Sequence, residues 1–142
     1  MTTDFCPMHR FWKCDINDRD QYAQTPDELL KKLETLYGTF DFDPCPADPN
    51  FDGLNTEWGK NNFVNPPFKY LSLWLKKSLI EWKKGKKIVF LMPIRLHTKY
   101  FIENIYPHFE SGGIEAYLIK GGVKFKNYKQ KAPFGMMYLL FK

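Results

Sequence analysis

Asn65-Pro66-Pro67-Phe68 is the stretch of this chain whose residue types most directly do chemistry. An asparagine oxygen accepts one N–H of a planar amine. The carbonyl of the first proline accepts the other, held rigidly because the proline ring fixes φ. An aromatic side chain beside them covers the face of a base, a contact worth about 1–3 kcal/mol. The exocyclic amine of adenine is a poor nucleophile, because its lone pair is delocalised into the ring. Two acceptors on its hydrogens favour a more tetrahedral nitrogen and stabilise the charge that develops as it attacks. Asn65, Pro66, Pro67 and Phe68 therefore read as a catalytic set for methylating the amino group of a nucleobase. A base in a duplex must first be swung out of its stack, against a few kcal/mol.

A second motif, Asp43-Pro44-Cys45-Pro46-Ala47-Asp48, sets acids in a prolyl turn. On composition alone, a capped turn is as good a reading as a ligand site. Acids and backbone carbonyls suit a cofactor with a cationic sulfonium and an amino group. The glycine-rich phosphate fingerprint of dinucleotide sites is absent, and S-adenosylmethionine carries no phosphate.

The elements that must position these motifs follow from pattern. Thr25 is placed to cap a helix, with Pro26 at its first position, Glu28 completing a capping box and Gly38 as the stop. Its apolar stripe is Leu29, Leu30, Leu33, Leu36 and Tyr37. Phe40–Asp43 reads as a short strand, and three prolines and a glycine exclude a helix from the ten residues after it. Asn62–Asn65 is a second strand. Tyr70–Lys83 is a helix with Leu71, Trp74, Leu75, Leu79 and Trp82 inward. Lys87–Pro93 is apolar enough to be buried on both faces of a sheet. A helix over Thr98–Phe109 and strands over Ala116–Lys120 and Met136–Phe141 complete the list. The last two strands have no helix between them, so they pair antiparallel. The alternation predicts a mostly parallel α/β sheet with helices outside and ligands at the carboxyl ends of its strands. Asp43, Asn65 and Pro93 all fall at such ends, which joins the motifs into one candidate site.

The 142 residues suffice for one domain, at 44% hydrophobic and 18% aromatic content. Residues 1–21 read as an N-terminal arm and 22–142 as the domain. No run is long enough to span a bilayer and the start lacks a signal-peptide pattern, so a soluble, cytoplasmic protein is expected. A net charge of +5, carried mostly by lysine, leans toward a polyanionic partner. Lys120–Lys131, interleaved with Phe125 and Tyr128, is the best nucleic-acid surface, while the lysines between 76 and 87 read as a solvated helix face and turn. Cys6, His9 and Cys14 match no standard zinc spacing and lack a fourth ligand, so reduced thiols in the arm are the reading and no metal is called for.

Five blocks in order resemble the phage-type DNA N6-adenine methyltransferase (Dam-like) family, from about residue 22 to the C-terminus. They are Tyr22–Pro26; Phe40–Cys45 with Asn50; Trp58 with Asn65–Phe68; Met92–Phe101; and Gly122–Phe125 leading to Ala132-Pro133-Phe134. The resemblance implies a compact Rossmann-like fold and an S-adenosylmethionine-dependent enzyme that methylates adenine N6 in DNA, encoded by a virus or mobile element. It matches Asn65, Pro66 and Phe68 to the amine-gripping motif. It matches Asp43, Pro44 and Cys45 to the cofactor loop, flanked by Thr25 and Pro26, with Asp48, Asp52 and Glu57 all open as the ribose acid. It matches Arg95 and Thr98 to a segment near the target base or phosphate, and Lys124 and Phe125 to a loop facing DNA. Position 68 is Phe where Tyr is commoner, and Gly122 stands where Arg is frequent. Another planar amine (cytosine N4, RNA or a protein glutamine) fits the same tetrapeptide. A decayed, non-enzymatic nucleic-acid-binding module is the third reading. Pairing into a homodimer is left open.

Overall fold

The computed structural model describes residues 23–46 and 50–142. The expected arm, with Cys6, His9 and Cys14, lies outside the described residues, as does Asp48. A four-stranded sheet in the order β1-β2-β4-β3 forms the centre. Its strands are β1 (Asn61–Val64), β2 (Lys87–Pro93), β3 (Ile114–Leu118) and β4 (Met136–Phe141). β1 and β2 are parallel, with Val64 opposite Phe90. β4 is antiparallel to both β2 and β3.

The protein is therefore a mixed α/β chain, but the expectation of a mostly parallel sheet is corrected. β1, β2 and β3 run in one direction, yet β4 inserts between β2 and β3 and makes both of its own ladders antiparallel. The expected pairing of the last two strands is present. The strand expected over Phe40–Asp43 shrinks to one parallel bridge, Phe42 to Asn62. The N–H of Asp41 donates to the Asn61 carbonyl and the N–H of Phe63 to the Phe42 carbonyl. The prolyl turn follows at once and ends the pairing.

Strand alternation builds a core on each face. Ile88, Phe90 and Met92 of β2 join Met137, Leu139 and Phe141 of β4 on one side. There they meet Leu71, Trp74, Leu75 and Leu79 of α2 (Leu71–Lys83), the stripe the sequence predicts. Val89 and Leu91 join Met136 and Tyr138 on the other side, under Leu33 of α1 (Asp27–Tyr37). Leu36, assigned to the same stripe, is 66% exposed. The helix expected over Thr98–Phe109 is interrupted. A π-helical turn spans Phe101–Ile105, closed by the Tyr106 N–H on the Phe101 carbonyl. A short α3 (Pro107–Ser111) starts afresh, because Pro107 has no N–H to continue the ladder. Among the described residues, no helix is long and apolar enough to cross a membrane.

Candidate active site

The chain leaves β1 at Val64 and turns through Asn65-Pro66-Pro67-Phe68 into the short 3-10 turn Phe68–Tyr70 and then α2. Both prolines are buried. The Pro67 carbonyl accepts the N–H of Tyr70 and so starts the turn. Pro66 is the residue whose carbonyl the sequence assigns to an amine.

Asn65 is held from outside its own segment. Its Nδ2 donates to the Ala23 carbonyl at 2.6 Å and to the Thr25 hydroxyl at 2.9 Å. A carbonyl can only accept, so this fixes which end of the amide points where. The other end, Oδ1, is buried and has no partner among the described residues. A buried acceptor left unmade costs about 1–3 kcal/mol, so its persistence asks for a reason.

Thr25 thus does not cap α1 as the sequence suggests. Pro26 occupies the cap position, no side chain caps the helix, and the first helical bond runs from the Leu30 N–H to the Pro26 carbonyl. The Thr25 hydroxyl accepts from Asn65 instead, and its own proton is still available to donate.

One cleft of about 190 Å³ gathers Thr25, Asp43, Cys45 and Asn65, with Phe63 and Lys126 also in its wall. The turns at 43–45 and 65–68 therefore lie on the same side of the molecule, as the expectation of a single site requires. Asp43 Oδ1 accepts the Cys45 N–H at 2.9 Å. Crowding in the cleft pushes the Asp43 carboxyl up to about 6, against the pull of that N–H. Water still reaches the side chain at the cleft mouth, which tempers the rise. Burial, and then the neighbouring Asp43, push the Cys45 thiol up, so this buried cysteine is not a nucleophile. Gly53 braces the turn from behind: a Cβ there would stand 1.9 Å from the Pro44 carbonyl oxygen. Asp52 is occupied in its own turn, accepting from the Leu54 N–H and the Asn55 amide. Glu57 is occupied by Lys84 and Lys86. Neither lines the cleft that holds Asp43 and Asn65.

Phe68 lies across the turn from this cleft. Its ring meets Phe125 at 6.2 Å and Phe134 at 5.7 Å, both edge-on. Phe125 is fully buried. It supports Phe68 from below and does not present itself to a nucleic acid, contrary to what its place in a basic loop suggests. Phe134, which the sequence reading left without a role, is 41% exposed above Phe68. Arg95 and Thr98 line a second cavity, of about 250 Å³, on the other flank of Phe68 with Lys69 and Tyr100. The Arg95 guanidinium reaches the Phe68 carbonyl at 3.5 Å, and the Thr98 hydroxyl accepts the Phe101 N–H at 3.3 Å. Lys124 is apart from all of these, in a separate groove with Pro26, Lys32 and Lys120. Gly122 has φ +75° and Gly121 φ +82°. The loop needs glycine there, and an arginine at 122 would be strained.

Ala23 and Phe134 are the residues missed. Ala23 falls inside the resembling block Tyr22–Pro26, but a backbone carbonyl has no side-chain signature, so its hold on Asn65 was not legible. Phe134 was visible as part of a resembling block, but only the fold sets it over Phe68.

No metal-binding group of three or more His, Cys, Asp or Glu occurs among the described residues. Fold and site together define an α/β protein with an unpartnered buried acceptor in the turn after β1 and a cleft beside it that holds Asp43. The family model for DNA N-6-adenine-methyltransferase (Dam) matches residues 13–127, and the chain belongs to that family. A curated relative, the DNA N-6-adenine-methyltransferase of Escherichia phage T1, is 30% identical over 97 residues, covering 60% of this chain and 40% of the relative. The chain thus spans well under half of that relative's length. No solved structure matches significantly.

Proposed function

We propose that this protein transfers a methyl group from S-adenosylmethionine to the N6 amine of adenine in DNA. The observation that carries the reading is the open Oδ1 of Asn65, a buried acceptor fixed in orientation by Ala23 and Thr25. An amine N–H is the partner it lacks. The family, and the name of the phage relative, support adenine in DNA as the amine's source. The shared direction of β1, β2 and β3 supports a Rossmann-like core.

The residues of the cleft fit a sulfonium cofactor. Asp43 offers a carboxylate to a cationic group, the Pro44-Cys45 turn offers backbone, and Thr25 closes the opposite side, while Pro26, expected beside it, lines the separate groove with Lys124. When bound, S-adenosylmethionine supplies a methyl group on a cationic sulfur that keeps the bonding pair as the methyl leaves. Asn65 Oδ1 and the Pro66 carbonyl accept the two N–H bonds of the adenine amine and draw its lone pair out of conjugation. They stabilise the positive nitrogen of the transition state without becoming bases. The proton the nitrogen then gives up passes to water. Phe68 stacks on the ring and is kept upright by Phe125 and Phe134. Arg95 and Lys124 contact the backbone of the same DNA from two flanks.

The test is incubation with isotopically methyl-labelled S-adenosylmethionine and duplex DNA, followed by digestion to nucleosides. Label in N6-methyldeoxyadenosine is expected. Label only in N4-methyldeoxycytidine overturns the choice of base. No label in DNA, RNA or protein overturns the enzymatic reading.

A further inference from the structure

The loop that leaves β2, Ile94-Arg95-Leu96-His97, is exposed at all four positions. Two of those side chains are large and apolar: Ile94 is 45% exposed and Leu96 39%. Their segment is tied to the Phe134-Gly135 stretch, and its Arg95 shares a cavity with Phe68. The Ile94 N–H donates to the Gly135 carbonyl at 2.9 Å. The Ile94 side chain lies where a Cβ on Gly135 would be, 2.7 Å from its Cδ1. Gly135 is next in sequence to Phe134, whose ring covers Phe68. Arg95, between the two apolar residues, reaches the Phe68 carbonyl. Ile94 and Leu96 thus flank the arginine that reaches the backbone of Phe68. Arg95 lies between them and Lys99 three residues beyond Leu96, both exposed, and Lys69 shares the cavity that Arg95 and Phe68 line, so cations flank the apolar pair.

A basic rim suits a phosphate backbone, and branched apolar side chains standing out of such a rim are the kind that enter between base steps. An enzyme that extracts a base leaves a gap in the stack, and the stack closes again unless something occupies it. Resting on the reading above, we propose that Ile94 and Leu96 form a wedge. It enters duplex DNA beside the extruded adenine and holds the gap open while Phe68 and Asn65 engage the base. Phe134 is set apart from this role, since its ring already packs on Phe68.

The experiment uses the whole chain with Ile94→Ser and Leu96→Ser combined. Substrates are a pool of synthetic duplexes with one adenine amid varied flanking sequence. The adenine faces either thymine or a pyrene nucleotide, whose bulk expels the adenine without help. On the paired pool the double variant is expected to transfer methyl roughly 10- to 100-fold more slowly than the unaltered protein. On the pyrene pool the deficit should shrink to within about 3-fold. A damaged fold would not be repaired by a change in the DNA, so an equal deficit on both pools overturns the wedge alone. So does an unchanged rate on the paired pool. Absence of transfer by the unaltered protein on both pools overturns the methyltransferase reading, and the wedge with it.

Discussion

Asn62 and Asn65 stand at the two ends of β1, and the surroundings treat the same side chain in opposite ways. Asn62 is fully buried and fully used. Its Oδ1 accepts the Gly59 N–H, and its Nδ2 donates to the Gly59 and Lys87 carbonyls. Its neighbour Asn61 ties three carbonyls at the end of α1 to the sheet. Beside them Glu81, also fully buried, accepts from the Trp58 N–H and pairs with Lys77, Lys84 and Lys86. Burial alone would push the Glu81 carboxyl up, but the hydrogen bonds from Lys86, Trp58, Lys77 and Lys84 outweigh it and hold it at about 2. At the carboxyl end, Asn65 keeps one open acceptor and Asp43 is pushed up to about 6. The amino end is saturated and stabilises the fold. The carboxyl end is left unsatisfied, at Asn65 Oδ1, and on the function proposed above that is where the amine binds.

The comparison breaks most visibly at Glu81. Glu81→Ala leaves three lysines around a buried hole and should destabilise the fold by about 3–5 kcal/mol, read from the urea midpoint. A loss below about 1 kcal/mol, the scale of an exposed pair, would mean that the amino end is not the anchor. Asn65→Ala is expected to reverse the pattern. Methyl transfer should fall by about 10²–10³-fold or more. The urea midpoint should barely move, because the mutation removes an unmade acceptor along with the bonds to Ala23 and Thr25. Retained transfer would sink the catalytic role. A collapse in stability would make Asn65 another Asn62.

The amino-end fold and the 65–68 turn differed in how far they could be read from sequence. The place of Asn65–Phe68 was legible because its signal is local: four adjacent residues, a strand before and a helix after. The stripe of α2 was legible because its period matches the helix. Glu81 was not, since an acid on a helix with lysines around it normally faces water. Its burial depends on the Trp58 loop folding over it. The insertion of β4 between β2 and β3 was also hidden. Nothing in an apolar run states which neighbour it pairs with, and that choice is made by packing on both faces. The support of Asn65 by Ala23 and Thr25 spans some forty residues of chain, with separations of 42 and 40. A good local signal, Thr-Pro-Asp-Glu before a helix, pointed Thr25 elsewhere. Phe125 was misjudged for a similar reason: lysines on either side placed it in a basic loop, but the loop folds inward and buries it.

A smaller effect sharpens what holds the open end in place. Thr25→Val keeps the shape and removes the hydroxyl that accepts from Asn65 Nδ2. The bond to Ala23 remains, so the amide is less firmly oriented without being released. Transfer should slow by roughly 3- to 10-fold, about what one ordinary hydrogen bond is worth. Affinity for the methyl donor should change less than the rate. A loss confined to donor affinity would return Thr25 to the cofactor side alone.

The mildest test uses pH and sets the two carboxylates against each other. Glu81 is held below its unfolded value, so its contribution is present above about pH 4.5 and is lost as pH falls toward about 2. Asp43 is raised, so the sign is opposite. Between its unfolded value and about 6 the folded chain holds a proton that the unfolded chain has released. Stability from this group is therefore present at low pH and lost as pH rises through that window. Ligand binding runs the other way, because only the ionised Asp43 attracts a cationic donor. Affinity for S-adenosylmethionine should drop by roughly tenfold from pH 7 to pH 5 if the carboxyl titrates near 6. Asp43→Asn should flatten both dependences, weakening donor binding at pH 7 while removing the loss of stability between pH 4 and 6. If donor affinity is independent of pH in the unaltered protein, Asp43 faces no cation, and the unsatisfied character of the carboxyl end rests on Asn65 alone.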